Sequence, residues 1–207
     1  QTTMGELKVT PVTNEIVVKI TGNKTNEKYD GIAKTAEGYT YVVKCAGADA
    51  GSLYSDADFT FSGNDKVTEK NAGEYPMGLD ASQFTNKDNH TFQNVSFVLV
   101  SDGKLTITKR NVTLTSADAE KVYDGTALTN DTVTVSGDGF VKNDGATYDV
   151  TGTITNVGTK PNTFTYTLNE GTKADNYNIT LKEGNLEINP ITDEVVVTIA
   201  EHSNSAK

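Results

Sequence analysis

Side chains able to do chemistry are few in this 207-residue sequence: two histidines, His90 and His202, one cysteine, Cys45, and one arginine, Arg110. Catalysis by proton transfer or nucleophilic attack needs a titratable group or a nucleophile held against a base near its working pKa. Both histidines stand in polar, turn-like or terminal surroundings instead. Cys45 closes a strand-like run that starts at residue 39, where a thiol acts as a small hydrophobe. A lone cysteine also rules out an internal disulfide framework, without fixing the compartment. Gly-x-Ser-x-Gly, His-Glu-x-x-His and Gly-x-x-x-x-Gly-Lys are all missing, and the glycines are scattered about one per turn. The sequence therefore predicts a protein that is not an enzyme and takes no cofactor.

Metal and sugar chemistry have weak candidates. Asp56-Ala57-Asp58 and the run from Asp138 to Asp144, followed by Gly145, put carboxylates at the loop spacing that Ca²⁺ uses, yet neither follows the EF-hand pattern. Asp and Gly are equally the residues of ordinary turns, which is the reading adopted, with no metal site. Trp is absent, so Tyr39, Tyr41, Tyr54 and Tyr75 form the one cluster whose flat faces could meet a carbohydrate. Half-buried strand tyrosines explain that cluster equally well. Six Asn-x-Thr/Ser triplets start at Asn23, Asn89, Asn94, Asn111, Asn130 and Asn178, but such triplets arise freely among 32 Thr and 19 Asn.

Charge narrows the partners. A net charge of −10 and a pI near 4.6 oppose binding to a phosphate backbone, which needs clustered Lys and Arg. No apolar run approaches the roughly 18 residues of a membrane span, and no basic amphipathic stretch occurs. Neither nucleic acid nor membrane contact is expected from these residues.

The elements that position these side chains read as strands. Apolar and polar residues alternate over 16–20, 39–44, 58–61, 95–100, 105–107, 112–115, 133–135, 148–154, 164–168, 177–181 and 186–188. Clusters of Gly, Asn and Asp, such as Ser62-Gly63-Asn64-Asp65 and Lys142-Asn143-Asp144-Gly145, supply the turns between them. Only 79–84 hints at a helical turn. Short strands at spacings of about 8–12 residues predict an all-β chain of small immunoglobulin-like Greek-key sandwiches, with β-grasp-like modules as the alternative.

Self-similarity organises the strands. Residues 5–20 recur at 184–199 with an ungapped offset of 179, and Pro11/Pro190, Val18/Val197 and Ile20/Ile199 are identical. A diverged copy lies between them, from Gly103 through Asn111 to Lys121. Tyr29-Asp30-Gly31 and Tyr123-Asp124-Gly125 stand 94 residues apart, each after a strand. Asn71-Ala72-Gly73 answers Asn156-Val157-Gly158, and Asp88-Asn89-His90 answers Asp175-Asn176-Tyr177. The expected layout is a last strand of a preceding repeat over 1–10, one repeat over 11–108, another over 109–189, and the first strand of a third over 190–207. Pro11 and Pro190 at the junctions, with no Gly/Ser-rich linker, predict stiff joints and an elongated array whose partners are neighbouring repeats. The triplets Tyr29, Asp30, Gly31 and Tyr123, Asp124, Gly125 are expected to be structural turns, each Tyr ring against the core edge. The apolar side chains of 194–199 are expected to add a strand to a sheet.

Lys121-Val-Tyr-Asp-Gly-Thr, Asn156-Val-Gly-Thr, Asp175-Asn-Tyr and the closing Gly184-Asn-Leu-Glu-Ile resemble the YDG-type and MBG-type tandem repeats of bacterial cell-surface proteins and adhesins. The resemblance covers nearly all of the second repeat and fits the first less well, where Ile32 follows Gly31 and His90 replaces the tyrosine. It implies secreted, non-catalytic modules at the bacterial surface that space out an adhesin. The alternative is weak multivalent adhesion to host glycan, mucus or matrix protein.

Overall fold

The computed structural model describes residues 10–87 and 90–200. All but Thr10 of the strand expected over 1–10 lies outside them, as does His202. Contacts divide the chain into two compact units. The first holds the residues up to Arg110 together with Phe140–Asn143 and Lys173–Asn178, and the second holds Asn111–Gly139, Asp144–Thr172 and the residues from Ile179 onward.

The chain is all-β. Its first eleven strands are β1 (Ile16–Gly22), β2 (Lys24–Lys28), β3 (Lys34–Glu37), β4 (Tyr39–Cys45), β5 (Ala48–Asp49), β6 (Phe59–Phe61), β7 (Lys66–Glu69), β8 (Gly73–Pro76), β9 (Phe84–Asn86), β10 (Val95–Ser101) and β11 (Lys104–Thr108). Eight follow: β12 (Arg110–Ser116), β13 (Ala119–Val122), β14 (Val133–Gly137), β15 (Ala146–Val150), β16 (Gly158–Pro161), β17 (Phe164–Leu168), β18 (Tyr177–Lys182) and β19 (Asn185–Asn189). Single 3₁₀ turns occupy Asp56–Asp58, Ala81–Gln83 and Ala174–Asn176. Among the described residues no helix is long and apolar enough to cross a membrane.

One pairing scheme is used twice. In the first copy β1 lies between β10, which runs parallel to it, and antiparallel β4; β11 lies between parallel β2 and antiparallel β8. In the second copy β12 lies between β14 and β18, and β19 lies between parallel β13 and antiparallel β16. Each opening strand thus bends from one sheet into the next, β1 into β2 at Asn23, and the closing pair β10 and β11 bends beside it. The two bends nearly touch: a Cβ on Gly22 would lie 2.1 Å from the Gly103 nitrogen. Only a residue without a side chain fits there.

Alternation decides what each strand buries. Ile16, Val18 and Ile20 face inward from β1 and are fully buried, while Lys19 points to solvent. They meet Val43, Tyr54, Phe59, Phe84 and Phe92 in the core of the first unit. Phe59 touches four rings, Tyr41, Tyr54, Phe84 and Phe97, with centroids 5.3–6.2 Å apart. In the second unit Ile154, Leu186 and Ile188 form a smaller cluster, with Ala119 and Leu128 packed against it.

The short polar strands β2, β3, β7, β8, β13 and β16 carry no alternating apolar pattern and were not expected. Backbone ladders hold them. The strand expected over 194–199 is not formed. Among the described residues no strand pairs with 191–200, and Val195, Val197 and Ile199 are 76–87% exposed. The equivalent Ile16, Val18 and Ile20 are buried because β4 and β10 flank them; no described strand flanks the copy.

Candidate functional site

Both Tyr-Asp-Gly triplets continue a parallel ladder and then turn. The Tyr29 N–H donates to the Thr108 carbonyl (2.9 Å) beyond β2–β11, and the Tyr123 N–H donates to the Asn189 carbonyl (2.8 Å) beyond β13–β19. One residue on, the carboxylate folds back on the chain: Asp30 Oδ1 accepts from the Ile32 N–H, and Asp124 Oδ1 accepts from the Thr126 N–H, both at 2.9 Å. Gly31 and Gly125 follow at φ +80° and +79°, in the left-handed region where glycine is favoured. Lys34 bonds Asp30 and Lys121 bonds Asp124. The lysine in each case, with the turn N–H second, holds the carboxyl below its ordinary value; Asp124, also bonded by the Thr126 hydroxyl, is lowered furthest.

The rings differ, contrary to the expectation that both lie against a core edge. Tyr29 is buried at 5% exposure, whereas Tyr123 is 38% exposed. Tyr29 stands edge-on to Tyr177 at 5.6 Å, and Tyr177 in turn meets Phe140 at 5.0 Å. The Tyr177 hydroxyl accepts from the Val141 N–H (3.2 Å). Beside them Asn176 Oδ1 accepts from the Ala72 N–H (2.8 Å), and Asn176 Nδ2 donates to Asn71 Oδ1 (3.3 Å). The landmarks Tyr29, Asn71 and Asn176-Tyr177, far apart in sequence, therefore meet within the first unit. Phe140 and Val141, noticed in the sequence only as part of an acidic run, complete the group.

The tyrosines considered for carbohydrate are committed elsewhere. Tyr54 is fully buried, and burial pushes its hydroxyl up to about 12. Tyr39 packs on Phe61 and Phe84; the Tyr41 hydroxyl accepts from the Asp56 N–H (2.9 Å), and the Tyr75 hydroxyl donates to the Asn71 carbonyl (3.1 Å). They form no flat exposed platform.

The acidic candidates serve the backbone. Asp58 Oδ2 accepts from the Ser55 N–H (2.8 Å) in a capping box, and Asp138 Oδ2 accepts from the Asn111 N–H (2.9 Å). Asp118, Ala119, Glu120, Asn185 and Glu187 line a groove, where Asp118 Oδ1 accepts from the Asn185 N–H (2.6 Å). Among the described residues no three His, Cys, Asp or Glu side chains converge as a metal site would require. His90 is exposed, and Cys45 packs half-buried against the first core.

Sequence reasoning missed Asn162, which is fully buried just after β16. Its Nδ2 donates to the carbonyls of Ala117 (2.9 Å) and Asn130 (2.8 Å). Its only signal was an ordinary Pro161-Asn162 pair.

No curated protein and no solved structure matches this chain. Residues 16–109 match the family model of the MBG domain, which is not a known catalytic family. The match falls on the first repeat, although the motifs were clearer in the second. The stretch 16–109, with its turn at Tyr29-Asp30-Gly31 and its parallel first and last strands, is similar to the MBG domain, a repeat domain found in bacterial surface proteins.

Proposed function

We propose that the chain is a run of non-catalytic spacer repeats, covering 11–108 and 109–189 with a third opening at 190, in the stalk of a bacterial adhesin-like surface protein. The stalk stands outside the cell and is tied to the wall by other parts of the protein. Tyr29, Asp30, Gly31, Tyr123, Asp124 and Gly125 act in it as structural turns, and neighbouring repeats are its partners.

The observation that carries this reading is the parallel pairing of first and last strands, β1 with β10 and β2 with β11. Tension applied at the two ends of such a module pulls parallel neighbours in opposite directions. All bonds of the ladder then share the load, instead of opening one at a time as in a hairpin pulled from its open end. A module that transmits force benefits from this; a catalyst or sensor has no need of it. The committed tyrosines weigh against the alternative of adhesion by an aromatic glycan-binding face.

The test is an array of glycans, mucins and matrix proteins probed with the 207-residue chain. The spacer reading expects no saturable binding at high micromolar concentration. Saturable binding, lost on Tyr75→Ala, would replace it with the adhesive one.

A further inference from the structure

The turn that is covered in the first unit lies open in the second. Tyr29, Asn71 and Ala72 are buried or half-buried beneath Phe140, Val141, Asn176 and Tyr177. Val141 comes within 3.3 Å of where a Gly31 Cβ would sit, while around Gly125 there is nothing within 4 Å. The second set of residues occupies the same places on the same frame. Val122 pairs with Asn189 as Lys28 pairs with Thr108, and Gly158 pairs with Ile188 as Gly73 pairs with Ile107. There Val122 is 57%, Tyr123 38% and Val157 52% exposed. Among the described residues no ring meets Tyr123 and no acceptor meets the Val157 N–H, whose counterpart on Ala72 is held by Asn176.

We propose that Val122, Tyr123, Gly125, Asn156 and Val157 form a docking site for a further copy of the repeat, which would present its own Phe-Val and Asn-Tyr segments as Phe140, Val141, Asn176 and Tyr177 are presented. This rests on the tandem-repeat reading above. The occupant is fixed by equivalence: a matching surface is already covered by those side chains, and 190–199 repeats 11–20, so another copy starts beyond the site. The open surface is more apolar than the covered one, with Val122 for Lys28 and Val157 for Ala72. Exposed apolar side chains grouped in this way mark contact surfaces.

The test uses the full chain with residues 109–189 duplicated in tandem after Asn189. The junction Ile188-Asn189-Lys109 then keeps the spacing of Ile107-Thr108-Lys109. Amide hydrogen exchange is compared between the 207-residue chain and the extended one. Slowing of the Val157 N–H by tenfold or more, with Tyr123 shielded from nitration, is the expected result. An unchanged rate with the added copy folded overturns the proposal. Should the added copy fail to fold, a peptide of residues 173–178 is titrated into the 207-residue chain. Shifts at the Val157 and Tyr123 amides, absent with its Tyr177→Ala version, support docking, and no shift overturns it. Failure of docking leaves the spacer reading standing, because that reading is decided separately by the binding array.

Discussion

Where the first unit closes over rings, the second closes over an amide. Met77 and Asn162 occupy the same place, each directly after the strand that pairs with the closing one. The Met77 N–H donates to the Gly103 carbonyl and the Asn162 N–H to the Gly184 carbonyl, both at 2.8 Å. Met77 fills its place with apolar atoms, and the core cluster of the first unit is built on Tyr54, Phe59, Phe84 and Phe92. Asn162 instead ties Ala117 and Asn130, while Ser116 Oγ donates to the Asn162 carbonyl (2.6 Å) and accepts from the Gly184 N–H (3.0 Å). Among the described residues Asn162 Oδ1 has no partner in this buried place. The comparison teaches that the backbone ladder defines the module, and that its interior can be apolar or polar provided the crossing of the strands is filled.

Substitutions that attack each filling should separate the two. Phe59→Ala removes a ring touching four others and should cost about 3–5 kcal/mol in urea unfolding of the first unit. Asn162→Ala leaves the partly buried carbonyls of Ala117 and Asn130 without their donor. Its cost should be about 2–3 kcal/mol, and Asn162→Met, which copies the first unit's residue, should not restore it. If methionine does restore it, the amide is mere packing and the contrast is lost. Ser116→Ala removes only the hydroxyl bridge, at about 1 kcal/mol by the same measurement.

The smallest effect concerns the turns. Asp30 and Asp124 are held below the ordinary carboxylate range by Lys34 and Lys121 with the turn N–H groups. A carboxyl lowered by folding contributes stability that is complete above its unfolded pKa and is lost as pH falls through the folded one. Amide exchange at Thr126 should therefore be independent of pH above about 5, after correction for intrinsic exchange, and should quicken once pH drops below about 4. Because both carboxylates are exposed, global unfolding should barely move.

Much of the frame was legible in the sequence. Ile16, Val18 and Ile20 alternate plainly, and Tyr-Asp-Gly recurs where the parallel ladder ends in each copy. Strands such as β2, reading Lys-Thr-Asn-Glu-Lys, were not, because a ladder held by backbone bonds makes little demand on side chains. Tyr54 and Phe92 reach the core from outside the named strands, where a period of two says nothing. Asn162 looks like any turn asparagine until the strands converge on it. The tail at 194–199 shows the opposite failure: its alternation is as good as that of β1, but a pattern makes a strand only when neighbours exist to pair with it.

The most direct test of the spacer account is to stretch the 207-residue chain by its ends in a single-molecule experiment. Shear loading of the parallel ladders predicts two separate unfolding peaks. Handles moved to Val17 and Lys44, which face each other near the open end of the antiparallel ladder of β1 and β4, should unzip that ladder at much lower force. Unfolding without peaks, or at equal force in both geometries, would contradict the account.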